Sequence, residues 1–387
     1  MLLSKACASE KLICAIDMMS DMKSSLESYI PWWSTDFVNG EDNAVAEAVR
    51  SRQLSQGELT RKFEMLLEAY LGVRHVVAVT NGSSALLISL LAIGIRPGDE
   101  VIVPNRTWIA TAHAVHLLGA IPVFVDTESE RPIMNFADIE HRISSKTRAI
   151  IPVHMNGRSV RMKELQQLAS AYDLAIIEDA AQALGSLNSN GVRLGTESII
   201  GCFSLSVAKI ISTGQGGFAV TNDDAVADRL RAIRTHGIEN SLSGENWHMP
   251  GFNFRFTDLL SSIGIVQMQL LPARIDRLAE IQKSYTVAIQ KIRGIQMIPT
   301  YEHEVSPYVE VLVENRTNLI NYLKDESIET RPFYPDLNTA PYWKSQGEFI
   351  NSKRFSMHGL YLPSGPSISD KQIQVVVTAL ERYCLSR

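Results

Sequence analysis

The chain has 387 residues, a formal net charge of −5, 45% hydrophobic and 20% charged residues, enough for one large and one smaller domain of ordinary globular composition. The mild negative charge and the lack of any basic cluster argue against nucleic acid as a partner, and no window approaches the ~18 uncharged apolar residues of a membrane span. Four cysteines (Cys7, Cys14, Cys202, Cys384) without CxxC spacing argue against a zinc site or a disulfide framework and fit a reducing cytoplasm.

Met1 to Met19 is moderately apolar but interrupted by Lys5, Glu10, Lys11 and Asp17, so residues 1–29 are expected to be a ragged leader and not a signal peptide. Short β-branched runs then recur at Val76–Thr80, Val101–Val103, Pro122–Val125, Ala149–Val153, Ala175–Glu178, Gly201–Ser204 and Gly217–Val220. Helical patterns lie between many of them, as at Ser84–Ile95, Ile109–Leu118, Met162–Tyr172 and Asp224–Arg234. Seven continuous apolar strands alternating with helices predict a mostly parallel sheet covered on both faces, a three-layer α/β sandwich over residues 30–270. Past Asp258, the helical stretch Leu259–Ile292 contains Pro272, which is expected to kink or divide it. A strand at Pro307–Val313, a helix at Arg316–Asp325, a Pro/Tyr-rich loop at Arg331–Trp343 and a last helix from Asp370 make a smaller α+β domain over 271–387.

Ligands of such sheets gather beyond the strand C-termini. Asn81–Ser84, Asn105–Trp108, His154–Arg158, Asp179–Gln182 and Ser204 all fall there. Lys209 follows Ser204 by five residues in an apolar setting and precedes Gly214-Gln-Gly-Gly217. A desolvated lysine amine is a nucleophile. A carboxylate such as Asp179 holds a pyridine nitrogen protonated, and a hydroxyl beside free backbone N–H groups holds a phosphate. These are the anchors pyridoxal phosphate needs. The glycines would let the backbone pass close to a bound ring or phosphate; they precede a strand, so they are not a dinucleotide fingerprint.

Each piece also has an ordinary reading. Asn81-Gly-Ser-Ser84 is equally a capped helix start, Asp179 an N-cap, Gln182 a surface amide, Lys209 a surface lysine and Trp108 a core aromatic instead of a ring-stacking one. His154, at a strand end, is a better site candidate than His113 and His116 on the following helix. Gly251-Phe-Asn253-Phe-Arg255-Phe-Thr-Asp258 reads as a helix start, with Thr257 or Asp258 as its cap.

Taken in order, Gln56-Gly57, Thr80–Leu86, Arg96–Pro104, Glu178–Gln182, Phe203-Ser204, Lys209, Gly214–Gly217, Gly251–Arg255 and Leu362-Pro363 resemble the sugar-nucleotide aminotransferases of the DegT/StrS type. The resemblance spans about Ile30 to Leu380 and implies an aspartate-aminotransferase-like fold with pyridoxal phosphate as cofactor. It implies that Lys209 bears the cofactor as a Schiff base and moves the protons. It puts Asp179 at the ring nitrogen, Gln182 at the ring hydroxyl, Gly82, Ser83 and Ser204 at the phosphate, and Trp108 on the ring. Asn253 would reach the phosphate of a neighbouring subunit, in a homodimer with shared active sites. L-glutamate would supply the amine and a keto-sugar nucleotide would accept it.

Lysine at 209, where some relatives carry the histidine of a dehydratase, favours transamination. The segment Leu205–Ala208 and Asn156 depart from the usual pattern beside the presumed sugar pocket. The loop Thr330–Pro335 resembles that of perosamine-type 4-aminotransferases, with Tyr334 in it and Arg331 either pairing with the substrate diphosphate or lying on the surface. A lyase or aminohydroxybenzoate-type enzyme, and a non-catalytic regulator that binds the cofactor, are the competing readings.

Overall fold

A computed structural model describes residues 29–37, 39–238, 247, 249–344 and 346–385. Apart from Tyr29, the expected leader lies outside the described residues. Strands β1 (His75–Val79), β2 (Glu100–Pro104), β3 (Ile121–Val125), β4 (Thr147–Ile150), β5 (Ala175–Asp179), β6 (Ile200–Ser204) and β7 (Gly217–Thr221) form one sheet in the order β1-β7-β6-β5-β4-β2-β3. Only β7 runs antiparallel to its neighbours. All seven coincide with the apolar runs. Alternate side chains of a strand point to opposite faces, and here both faces are dry: Val76 and Ala78 enter one core, Val77 and Val79 another. That two-sided burial is why the strands read as continuous apolar segments.

The helices of this layer are α1 (Glu41–Arg50), α2 (Glu58–Leu71), α3 (Gly82–Ala92), α4 (Ala110–His116), α5 (Phe136–Arg142), α6 (Met162–Ala171) and α7 (Asp224–Arg234), followed by the long α8 (Asp258–Ile289). Thr257 caps α8, accepting the Leu260 N–H at 3.4 Å. Asp258 caps a different helix: its carboxylate accepts the N–H groups of Gly57 (2.9 Å) and Thr60 (2.8 Å) and the Thr60 hydroxyl (2.7 Å), at the start of α2. Pro272 lies inside α8 without dividing it. Tertiary packing compensates for the missing hydrogen bond. Gly264 lies against the Phe63 ring, Gln267 donates to Glu41 at 2.5 Å, and further along Tyr285 donates to Pro363 O at 2.9 Å. The expected domain boundary at 270/271 falls within this one helix, whose first half packs on α1 and α2 and whose second half packs on the C-terminal part.

That part holds β8 (Ile295–Met297), β9 (Val309–Val313), α9 (Arg316–Asp325), β10 (Arg331–Pro332), α10 (Ile350–His358), β11 (Gly359–Leu362) and α11 (Asp370–Leu385). Its four strands form a separate antiparallel sheet, β10-β11-β9-β8. The start of the described chain belongs with it: Ile30 bridges Ile328 and Trp33 bridges Ser364, so residues 30–35 strap across the smaller domain although the sequence assigned them to the larger. Among the described residues no helix is long and apolar enough to cross a membrane.

Buried polar side chains join the two domains. Arg158, fully buried, pairs with Glu310 of β9 and donates to Pro299 O at 2.9 Å. Asn156, in the left-handed region at φ 52°, donates to Tyr308 O and accepts from Tyr308 N, both at 2.9 Å. Its amide is therefore committed to the domain junction and not to a sugar pocket. Removing one partner of a buried ion pair leaves a charge without compensation. Arg158→Met is expected to lower stability by roughly 3–5 kcal/mol, measured by urea unfolding, and pairing it with Glu310→Leu should recover most of that loss.

Candidate active site

The turn from β1 into α3 meets the end of β6 and the start of β7 at the rim of the large sheet. Asn81 caps α3 by accepting the Ser84 N–H at 2.8 Å. The N–H groups of Gly82 and Ser83, in the first turn, have no intrahelical partner. A Cβ on Gly82 would stand 3.0 Å from the Ser204 Cβ, so the bare backbone there keeps the N-terminus of α3 against Ser204. A Cβ on Gly217 would stand 2.5 Å from the Asn81 carbonyl carbon and the Gly82 nitrogen. The glycine-rich stretch was expected to admit a ring or phosphate. What Gly217 admits is the chain's own Asn81–Gly82 peptide.

Asp179 ends β5 and is buried. Thr111 of α4 donates its hydroxyl to Oδ2 at 2.8 Å and the Ala181 N–H donates to Oδ1 at 3.1 Å. Burial raises its pKa, against the pull of Thr111, the Ala181 N–H and the positive charge of Lys209. Lys209 shows the opposite shift: burial lowers its amine to about 8, and Asp179 opposes that change. Its amine makes no hydrogen bond or ion pair among the described residues. Gln182 accepts the Asn156 N–H through Oε1 at 2.8 Å, which fixes the amide orientation and leaves its NH2 group facing the other way.

Of the remaining expected site residues, Trp108 and Tyr334 meet edge to face at 4.9 Å, and Trp108 stays 53% exposed. A cavity of about 270 Å³ beside α3 and α4 is lined by Ser83, Trp108, His113 and Leu117, and not by Asp179 or Lys209. Arg331 is exposed, paired with Glu329 at 3.0 Å and stacked over Trp32 at 5.2 Å. Asn253 is exposed on a segment beside the end of β1, its Oδ1 accepting from Arg255 at 3.0 Å.

His154 is fully buried, with both nitrogens engaged inside the protein. Nδ1 accepts the Val160 N–H at 3.3 Å, so Nε2 carries the proton and donates to Glu178 at 3.0 Å. It orders Glu178 and has no nitrogen left for a substrate. Burial pushes the Glu178 pKa up, but His154 and the Gly195 N–H outweigh it and hold the carboxylate below its ordinary value.

Two contributors were not singled out in the sequence, although Arg106 lies within the rim segment Asn105–Trp108. Thr111 is the second residue of α4, 68 residues from Asp179. Arg106, 1% exposed, donates to Tyr334 O at 2.7 Å and sits over the Phe333 ring at 4.6 Å, holding the 331–343 loop to the rim. Between about pH 8 and 10.5 the folded chain holds fewer protons at Lys209 than the unfolded chain, so stability rises with pH there. Lys209→Met is therefore expected to stabilise the cofactor-free protein at pH 7 by up to roughly 3 kcal/mol. The gain should shrink as pH climbs from about 8 toward 10.5, as read by urea unfolding at several pH values.

Comparison with known proteins gives this rim its context. Residues 36–381 match the model of the DegT/DnrJ/EryC1/StrS aminotransferase family. A GDP-perosamine synthase of Escherichia coli O157:H7 is 34% identical over 361 residues, covering 92% of this chain and 98% of the relative. Among solved structures, DesV of S. venezuelae, in complex with a ketimine intermediate, superposes with a TM-score of 0.87 at 30% identity, over 92% of this chain and 98% of that one. NtdA of Bacillus subtilis with bound cofactor PMP gives a TM-score of 0.85 at 25% identity, over 93% and 86% of the two chains. The match runs through both sheets and every rim segment described above, and on it the chain belongs to the DegT/DnrJ/EryC1/StrS aminotransferase family.

Proposed function

We propose that this protein is a pyridoxal-phosphate-dependent aminotransferase that transfers an amino group from L-glutamate to a nucleotide-linked keto-sugar. It would act in the cytoplasm, in amino-sugar biosynthesis for a surface polysaccharide or a glycosylated natural product. The observation that carries this reading is the Lys209 amine: desolvated, without a partner among the described residues, and within the electrostatic reach of the buried Asp179.

The residues fit the cofactor. The free N–H groups at the start of α3 and the Ser204 hydroxyl suit a phosphate. Asp179, its pKa raised by burial, would be favoured as a carboxylate by a cationic ring N–H, and Thr111 and Ala181 fix its direction. The NH2 of Gln182 is free to donate to a ring oxygen. When bound, pyridoxal phosphate supplies an electron sink that stabilises negative charge at the carbon losing its proton. Lys209, with its pKa near 8, is partly neutral at physiological pH and can both accept and return a proton. Trp108 presents an exposed ring face at the rim, while Tyr334 and Arg331 stand on the loop that Arg106 holds.

The GDP-perosamine synthase relative supports a nucleotide-linked sugar as the acceptor. Among the described residues Asn253 makes no hydrogen bond to Lys209 or Asp179, its Oδ1 being bonded to Arg255, which suits a role in the site of a second copy and hence a homodimer.

The absorbance spectrum of purified protein tests this reading. A visible cofactor band is expected, lost on adding L-glutamate and absent from Lys209→Ala. No band in cofactor-supplemented wild type would sink the reading. A band that ignores glutamate and other amino donors would move the protein toward the lyase or regulatory readings. Mixing inactive Lys209→Ala with inactive Asn253→Ala should restore activity if each site is shared between subunits, and mixtures that stay dead would remove Asn253 from the site.

A further inference from the structure

The turn that carries Lys209 is held from outside the large domain. The Lys209 N–H donates to Ser206 O at 3.0 Å, closing a β-turn over residues 206–209. Both carbonyls inside the turn are taken by side chains far away in sequence. Trp33 Nε1–H donates to Val207 O at 3.1 Å and the Thr35 hydroxyl adds a second bond at 3.3 Å. The Tyr308 hydroxyl donates to Ala208 O at 2.6 Å. Trp33 and Tyr308 are themselves buried, at 7% and 3% exposure, and pack edge to face at 5.4 Å. Ala208 rests on the same aromatic cluster, which includes Phe333 and Tyr361.

A peptide whose carbonyl is bonded cannot rotate without breaking that bond. With both central peptides of the turn bonded, the direction in which the backbone launches the Lys209 side chain is set. Aromatic donors suit this task, because a large ring with two side-chain torsions loses little freedom when ordered. Loops at sheet rims are otherwise the mobile parts of such domains.

We propose that Trp33 and Tyr308 are positioning residues for Lys209, holding the Val207 and Ala208 carbonyls so that the small domain and the strap at residues 30–35 set where the amine stands. This rests on Lys209 being the reactive amine of the proposed function.

Tyr285 supplies a matched control. It is buried and donates its hydroxyl to a backbone carbonyl, Pro363 O at 2.9 Å, but belongs to α8 and makes no hydrogen bond to the turn. Tyr308→Phe and Tyr285→Phe keep their rings and lose one donor each, while Trp33→Phe loses the donor together with part of the ring. Two measurements on the full chain decide the matter: hydrogen–deuterium exchange over residues 205–213 after removal of pyridoxal phosphate, and pyridoxal phosphate affinity from titration of the visible band. Tyr308→Phe and Trp33→Phe are expected to speed exchange in that segment and to weaken the cofactor roughly five-fold each, with melting temperatures close to that of Tyr285→Phe. Tyr285→Phe should leave both readouts at the wild-type level. Exchange and affinity in the first two variants no different from Tyr285→Phe would overturn the proposal, as would faster exchange spread evenly over the molecule. Should Trp33→Phe not fold, Tyr308→Phe carries the comparison alone. A wild type with no visible band would count against the proposed function, while the exchange data would still decide whether the turn is held.

Discussion

Asp179 is buried and Lys209 half-buried at the same rim, with no direct ion pair between them among the described residues, and the rest of the architecture holds them there. Burial disfavours the charged form of each, raising the carboxyl and lowering the amine, and their mutual attraction only partly offsets it. A chain selected for stability alone would pair two such groups or expose them. Holding them apart leaves a carboxyl raised by burial near an amine lowered by it, the kind of paired perturbation that marks a candidate functional site.

Rigid elements bear that cost. Asp179 stands at the end of a central strand, its two oxygens fixed by a helix hydroxyl and a backbone N–H. The first turn of α3 is locked against β6 and β7 by a contact that admits only glycine at 217 and a tight one at 82. Lys209 sits on a loop, and the loop is steadied by aromatic side chains of the other domain. The domains are joined through buried polar groups, Arg158 with Glu310, Asn156 with Tyr308 and Arg106 with the 331–343 loop. Because hydrogen bonds of this kind tolerate little displacement, the relative placement of the two domains and the geometry of the lysine turn are one problem.

Where sequence patterns went astray, a distant partner was the cause. Pro272 was expected to kink or divide its helix, and it does not divide α8, whose flanks are anchored to Phe63, Glu41 and Pro363. Asp258 looks like a cap for the helix it opens but serves α2. His154 lies at the expected strand end, and its ring is consumed by Glu178 and Val160. The residues 30–35 look like the first part of the large domain and pack on the small one.

The sequence by itself determined the strands, and it set Lys209, Asp179, Gly82 and Ser204 forward as candidates at one rim of the sheet. Those follow from local rules: two-sided burial writes continuous apolar runs, and strand ends carry the polar residues. The tertiary structure alone decided the pKa of the lysine, the partner of Asp179 on α4, the internal role of His154, and the clamp from Trp33 and Tyr308 on the lysine turn. Each depends on groups 24 to 174 residues apart coming within hydrogen-bond reach or removing water from a charge. Such contacts leave no periodicity or spacing in the chain, because they are made by single side chains and selected only by the packing of the finished fold.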